Sequence, residues 1–260
     1  MMSSRKTLLW ALAIITPILV LVWWWLGSAN STNSFLPPLS RIMERFQDLW
    51  LFAHFQSDVL ISLRNLAIGY VIAVILGVAL GFVLATVPIL RAMFEPGVHF
   101  VRGIPPVALV PILITLVGFG PEMRITSIII AAVFPTMIST IDGIRAVDGG
   151  LKDVCTVYQL PRAARLGSVY LPAAGPQIAA GMQVSLQVAF IVMIASEMMG
   201  PSQGIGSMTL LAQQSFMSAD MWAGILLLGL IGFLANSAFD LIKSRVLAWY
   251  IGSKRMERNS

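Results

Sequence analysis

Charge is scarce in this sequence. Asp, Glu, Lys and Arg make up 11% of its 260 residues, while 57% are hydrophobic. A soluble domain of this length must turn more polar surface to water than that supply can furnish, so a water-soluble globular fold is excluded. Cysteine is nearly absent: Cys155 stands alone, which excludes an intrachain disulfide. The two histidines, His54 and His99, lie far apart, and no metal-ligand spacing exists. No Gly-x-x-x-x-Gly-Lys-Ser/Thr run occurs, so the chain lacks the loop that cradles nucleotide phosphates. No cluster of His, Asp or Glu falls within an apolar run, as a membrane-embedded enzyme would require. The net charge of +5 does not indicate nucleic acid, because the cations are scattered in short segments between apolar runs.

What is present is long hydrophobic sequence. A bilayer core of about 30 Å needs about 20 apolar residues in a helix. Six stretches approach or meet this: residues 8–26, 66–87, 103–121, 125–141, 169–196 and 221–239. The first ends in Trp23, Trp24 and Trp25. The third is broken by Pro105, Pro106 and Pro111, and the fifth carries Pro172 and Pro176 near its start. These runs predict an all-α integral membrane protein of about six transmembrane helices. Residues 8–250 form a single transmembrane domain between tails at 1–7 and 251–260. The first stretch also has cations before it and small residues, Gly27 and Ala29, after it, as a cleaved signal peptide would. Its length and its tryptophans favour a retained helix at the membrane interface.

Lys and Arg set the orientation. With six crossings, one face receives Arg5, Lys6, Arg91, Arg145, Lys152, Arg162, Arg165, Lys243, Arg245, Lys254, Arg255 and Arg258. The other receives Arg41, Arg45 and Arg124, with Arg64 near it. This bias places both termini in the cytoplasm. On the outer side, Leu39, Ile42, Met43, Phe46, Leu49 and Trp50 recur at helical spacing opposite Arg41, Glu44, Arg45 and Asp48. They form either an amphipathic helix lying on the membrane surface or a packed loop.

The loop at about 146–170 is patterned although polar. Leu151, Val154 and Tyr158 fall at i, i+3 and i+7, on one face of a short helix that Pro161 stops. Such a face needs a partner, either lipid surface or a groove on another protein.

The same loop resembles the "EAA" signature of permeases of ATP-binding-cassette (ABC) importers. That signature is Glu-Ala-Ala, three residues, Gly, nine residues, Ile, any residue, Leu-Pro. Asp153-Val154-Cys155, Gln159, Val169 and Leu171-Pro172 keep the spacing at every step, and only Leu-Pro is literal. The flanks strengthen the resemblance. Arg102-Gly103-Ile104-Pro105-Pro106, Pro111 and Gly118-Phe119-Gly120 are similar to one subfamily's "R-x-I-P…P…FG-G" stretch. Phe134-Pro135 with Val147-Asp148, the run from Ala195 to Gly200, and Gly204-Ile205-Gly206 match further segments of it. That subfamily comprises the nitrate, taurine, alkanesulfonate and bicarbonate importer permeases, and the resemblance covers roughly residues 35–250.

The resemblance implies a type I importer subunit of the bacterial inner membrane. Two permeases, here two copies of this chain as a homodimer, pair in the membrane. Each offers a coupling helix to a cytoplasmic ATPase, and a binding protein outside delivers a small, anionic solute. ATP and Mg belong to the partner ATPase, and this chain binds no cofactor. The alternative function is a secondary transporter, which needs no ATPase but usually carries acids at midplane.

The docking residues that follow are Leu151, Asp153, Val154, Cys155, Tyr158 and Gln159. Asp153 takes the family's Glu position and is either a contact at the dock or a solvated N-terminal acid favoured by the helix dipole. Gln159 takes the place of Gly, so the turn either changes geometry or the helix runs on through it. Candidates for the translocation path or its gate are Pro105, Pro106, Gln183, Gln187 and Glu197. Glu197 follows a long uncharged run and either gates the pathway, pairs with an Arg, or is an interfacial acid that reaches water. Gln183 and Gln187 share a helix face and either line the path or bond to another helix. Arg102 either attracts an anion, pairs with Glu95 or anchors the chain. Gly77 and Gly81 pack helices closely, within the chain or across a dimer.

Overall fold

The protein is described from a computed structural model, which covers residues 2–29, 31, 33–200, 203–250 and 252. The tail at 251–260 therefore lies, except for residue 252, outside the described residues, as do the cations at 254, 255 and 258. Every regular element among the described residues is helical. In lipid no water is available to the backbone, and a helix satisfies its own N–H and C=O groups.

Helix α1 is Met2–Ser28, so the expected tail at 1–7 is helical from Met2 onwards. A short helix, α2, follows at Leu39–Phe46. The membrane core is formed by α3 (Leu60–Thr86), α6 (Pro121–Arg145), α9 (Leu171–Met199) and α11 (Ser218–Val246). These four, α3 and α9 extended at their starts by π-helical turns, are long and apolar enough to cross a membrane. Between them lie α4 (Pro88–Arg102), α5 (Val110–Val117), α7 (Gly149–Val157), the single turn α8 (Arg162–Ala164) and α10 (Ile205–Gln214).

The third apolar stretch departs from expectation. Instead of one spanning helix at 103–121, α4 and the segment Pro106–Val117 form a pair bent by 90°. Pro105 is extended (φ −58°, ψ 123°), as a helix break requires, and eight-residue α5 reaches only about 12 Å. The segment before it is the helix α4, along which Arg91 and Glu95 pair at i, i+4 (3.6 Å).

The central helix is α6, held between α3 and α9. The close approach of α3 follows from small residues at four-residue spacing: Gly69, Ala73, Gly77 and Gly81 are all buried. A Cβ on Gly77 would lie 2.9 Å from Thr136 Cβ, and one on Gly81 2.5 Å from the Met137 carbonyl. The glycine pair therefore serves packing inside the chain. The same Thr136 shares a hydrogen bond of 2.8 Å with Ser185 of α9. Tyr70 donates across the layer to the Met182 carbonyl at 2.9 Å. Gly77→Leu should separate α3 from α6, costing ~1–3 kcal/mol through overpacking. Gly97→Ala, where an added Cβ meets nothing within 4 Å, should be neutral. Thermal unfolding of both variants in detergent checks this.

At the end of the bundle opposite the 146–170 loop, α2 is packed rather than laid on a surface. Ile42, Leu39 and Trp50 are buried in one cluster with Ile205, Ala223, Leu227 and Ile231. Arg45 grips Asp220 at the start of α11 with two hydrogen bonds, of 2.5 and 2.8 Å. The hydrogen bond to that carboxylate raises the pKa of the Arg45 guanidinium above its already high ordinary value. The segment is the helix of the first reading, but it is packed into the bundle as in the second. Trp24 meets Trp222 edge-on at 5.6 Å, and Ser28 Oγ accepts from the Leu39 N–H, which ties α1 into the same end.

Candidate functional site

The loop between α6 and α9 forms a capped helix with an uncovered apolar side. Asp148 is the N-cap, its carboxylate accepting from the Gly150 N–H at 2.8 Å. Asp153 is exposed in the middle of α7 and is not the cap. At the far end, Leu160 N–H donates to Cys155 C=O (3.0 Å) and Gln159 N–H to Thr156 C=O (3.1 Å). That pair of bonds is a Schellman turn, and it places Gln159 in the left-handed region at φ 51°. The helix therefore does not continue through Gln159. A glutamine adopts the backbone conformation that glycine takes more easily, at a cost of about 1 kcal/mol.

Around α7, Leu151 (42% exposed), Val154 (49%), Val157 (77%) and Tyr158 (75%) face outward, while Cys155 is buried at 1%. The expected face is thus present, with two changes. Cys155 points into the permease and offers nothing to a partner. Val157, which the spacing argument passed over, is the most exposed apolar residue of the helix; its offset of three from Val154 was the available signal. Arg165 donates to the Cys155 carbonyl at 3.3 Å and Lys152 to the Arg145 carbonyl at 3.3 Å, holding α7 against the bundle.

Glu197 is not an interfacial acid that reaches water. It is fully buried, at 0% exposure. It accepts from Ser62 Oγ at 2.5 Å and from the Gly206 N–H at 2.9 Å. Ser62 Oγ accepts from the Ile205 N–H, and Asp58 accepts from the Gly204 N–H at 2.7 Å. Three side chains from α9 and the start of α3 thus satisfy successive N–H groups at the start of α10, where the helix dipole also favours negative charge. Buried Arg124 supplies the opposing charge nearby. Gly204 has φ 101°, and a Cβ there would lie 2.5 Å from the Glu197 carboxyl carbon, so the Gly-Ile-Gly run is a requirement of this knot. Asp58 and Ser62 were missed in sequence because they lie more than a hundred residues from the groups they bind.

The polar residues of α9 divide. Gln183 bonds to α11: its Nε2 donates to Asn236 Oδ1 at 3.0 Å, and Lys243 Nζ donates to its Oε1 at 2.6 Å. Gln187 is exposed, in a stripe with Gln177, Ala180, Val184 and Ile191 at successive spacings of three and four. Beside that stripe a cavity of about 360 Å³ is lined by Arg102, Pro106, Phe134, Ser139 and Val184, among others. Pro106 thus contributes to a cavity wall, whereas Pro105 is exposed outside it. Arg102 borders the cavity; Glu95 pairs with Arg91 instead.

The chain is thus a bundle of helices long and apolar enough to cross a membrane, with a capped helix between two of them whose apolar side is uncovered. Residues 73–248 match the model of the family described as "Binding-protein-dependent transport system inner membrane component". The chain belongs to this family, and it is a permease subunit of the ABC importer class. It is 29% identical over 248 residues to SsuC of Bacillus subtilis (strain 168), a permease named for aliphatic sulfonates transport, covering 95% of this chain and 90% of that one. It is 26% identical to the taurine transport system permease TauC of Escherichia coli (strain K12), over 90% of this chain and 87% of that one. The nitrate import permease NrtB of Leptolyngbya laminosa is 30% identical over 72% of this chain and 67% of its own length. In fold it is similar to a chain of the inward-facing MetNI methionine ABC transporter. The TM-score is 0.63 at 19% identity, covering 76% of this chain and 97% of that one.

Proposed function

We propose that two copies of this chain form the membrane path of an importer in the bacterial inner membrane, with the α7 end and both termini in the cytoplasm. Each α7 docks on one ABC ATPase, which supplies the ATP hydrolysis, and a substrate-binding protein outside delivers a small oxyanion. The observation that carries this reading is the uncovered side of α7 between its Asp148 cap and the Gln159 turn. An apolar face held at both ends, yet left open, suits a groove on a partner better than a flexible loop does. The lysines and arginines collected at that end favour the cytoplasmic side.

The exposed stripe of α9 supports the dimer. A glutamine such as Gln187 is costly against lipid tails and is better placed along a wet path or against a second copy. Arg102 beside the cavity suits an anionic cargo, and the relatives named for sulfonates, taurine and nitrate share an oxyanion group.

Purification with the cognate ATPase from detergent should yield equal numbers of permease and ATPase subunits, two of each. An active complex with one copy of this chain and no second permease would contradict the proposal. Cysteines at exposed Ser34 and Thr156 should report the topology. An impermeant reagent applied to intact cells should label the first and spare the second. Labelling of Thr156 from outside would invert the arrangement.

A further inference from the structure

Beneath α7 lies a second cavity, of about 760 Å³, at the loop end of the bundle. Four cations line it: Arg145 from the end of α6, Lys152 from α7, and Arg162 and Arg165 from the segment after Pro161. Among the described residues, no Asp or Glu lines it. Two of the four are held in place by the backbone, since Lys152 and Arg165 donate to the Arg145 and Cys155 carbonyls. Arg165 Nε is buried and has no hydrogen-bond partner. Solvated basic residues at a membrane face normally spread apart. Here four of them converge on one concavity from three successive segments, a concentration of positive charge that draws an anion to it.

We propose that this cavity is a binding site for a phosphate or comparable oxyanion group. Arginine forks bind such a group through two parallel N–H···O bonds, and the lysine adds a point charge. Basic pockets between membrane helices take lipid headgroups by the same chemistry. A free oxyanion in the cytoplasm would be read identically. Because the four cations belong to α6, α7 and the segment beyond it, an anion bound among them ties the loop to the bundle and stiffens α7. The site stands without the docking reading; its influence on coupling rests on that reading.

The test uses the full chain with its cognate ATPase in nanodiscs. Thermal unfolding is followed in phosphatidylcholine discs, in discs with added phosphatidylglycerol, and in phosphatidylcholine discs titrated with sodium sulfate at constant ionic strength. Phosphatidylglycerol or sulfate should stabilise the wild type. Each charge removed should weaken that response about fivefold, so Arg162→Gln with Arg165→Gln should weaken it more than either alone. Arg245→Gln, an exposed cation at the same end, should leave it unchanged. Lys152→Gln alone keeps the test informative should the double variant fold poorly. A response to phosphatidylglycerol alone makes a lipid headgroup the source, and a response to sulfate makes it a free oxyanion. Equal responses of wild type and charge-removed variants to both probes would overturn the site. Co-purification of the ATPase is scored on the same samples. Its loss from a wild-type complex that still responds to the anion would sink the docking reading and leave the site standing.

Discussion

Glu197→Ala should fail to accumulate as a folded protein. The substitution leaves the Gly206 N–H and the Ser62 hydroxyl without their acceptor and Arg124 without its nearby negative charge, all in buried surroundings. Removing one partner of a buried charged network costs about 3–5 kcal/mol, a large share of the stability of any domain. Glu197→Gln keeps the shape and one oxygen acceptor. It should therefore retain part of the fold and show a lower unfolding midpoint. Detergent size-exclusion and thermal unfolding at matched expression distinguish this from a role in the path. A path residue behaves in the opposite manner: the alanine variant folds normally and transport is lost. Were Glu197→Ala as stable as the wild type, the knot at the start of α10 would not be what holds that helix.

Tyr158→Ala should release the ATPase while leaving the permease intact. Tyr158 is 75% exposed at the C-cap of α7, and its neighbour Val157 is exposed to a similar degree. Binding energy at interfaces concentrates in a few anchors, aromatic ones above all, and truncating such an anchor costs about 1–3 kcal/mol, or a tenfold to hundredfold loss of affinity. Val157→Asp should be as harmful, because it places a charge where an apolar contact forms. Cys155→Ser should act differently: the side chain is buried inside the permease, so a defect would appear as lost stability rather than lost docking. Co-purification of the ATPase and transport in vesicles, at equal permease levels, provide the readout. If Tyr158→Ala and Val157→Asp both retain the ATPase and full transport, α7 is not the dock.

The turn at Gln159 adds a quieter test of the same helix. Gln159→Gly places the freer residue at φ 51° and should stabilise the loop slightly, by a few tenths of a kcal/mol to about 1 kcal/mol, without loss of docking.

Membrane class, helical content and the position of the α7 loop follow from local chemistry alone. A run of apolar residues as long as 66–87 can satisfy its backbone in lipid only as a helix, whatever surrounds it. Leu151, Val154 and Tyr158 declare a face because helical periodicity is local too, and Pro161 ends the helix by its own ring. Other features depended on residues far apart in the chain. An acid after a long uncharged segment reads as a gate, an Arg partner or an interfacial acid until Asp58 and Ser62 are seen beside it, the three together binding three successive N–H groups. Gln183 and Gln187 are equivalent on a helical wheel. They part because Asn236 and Lys243 of α11 stand opposite Gln183, while Gln187 is exposed. The third apolar stretch had the composition of a span, yet composition does not register where a proline break will turn the chain through 90°. Periodicity and hydropathy belong to neighbours in sequence. Burial, pairing and direction belong to neighbours in space, and for this chain those are brought together by the packing of α3, α6 and α9.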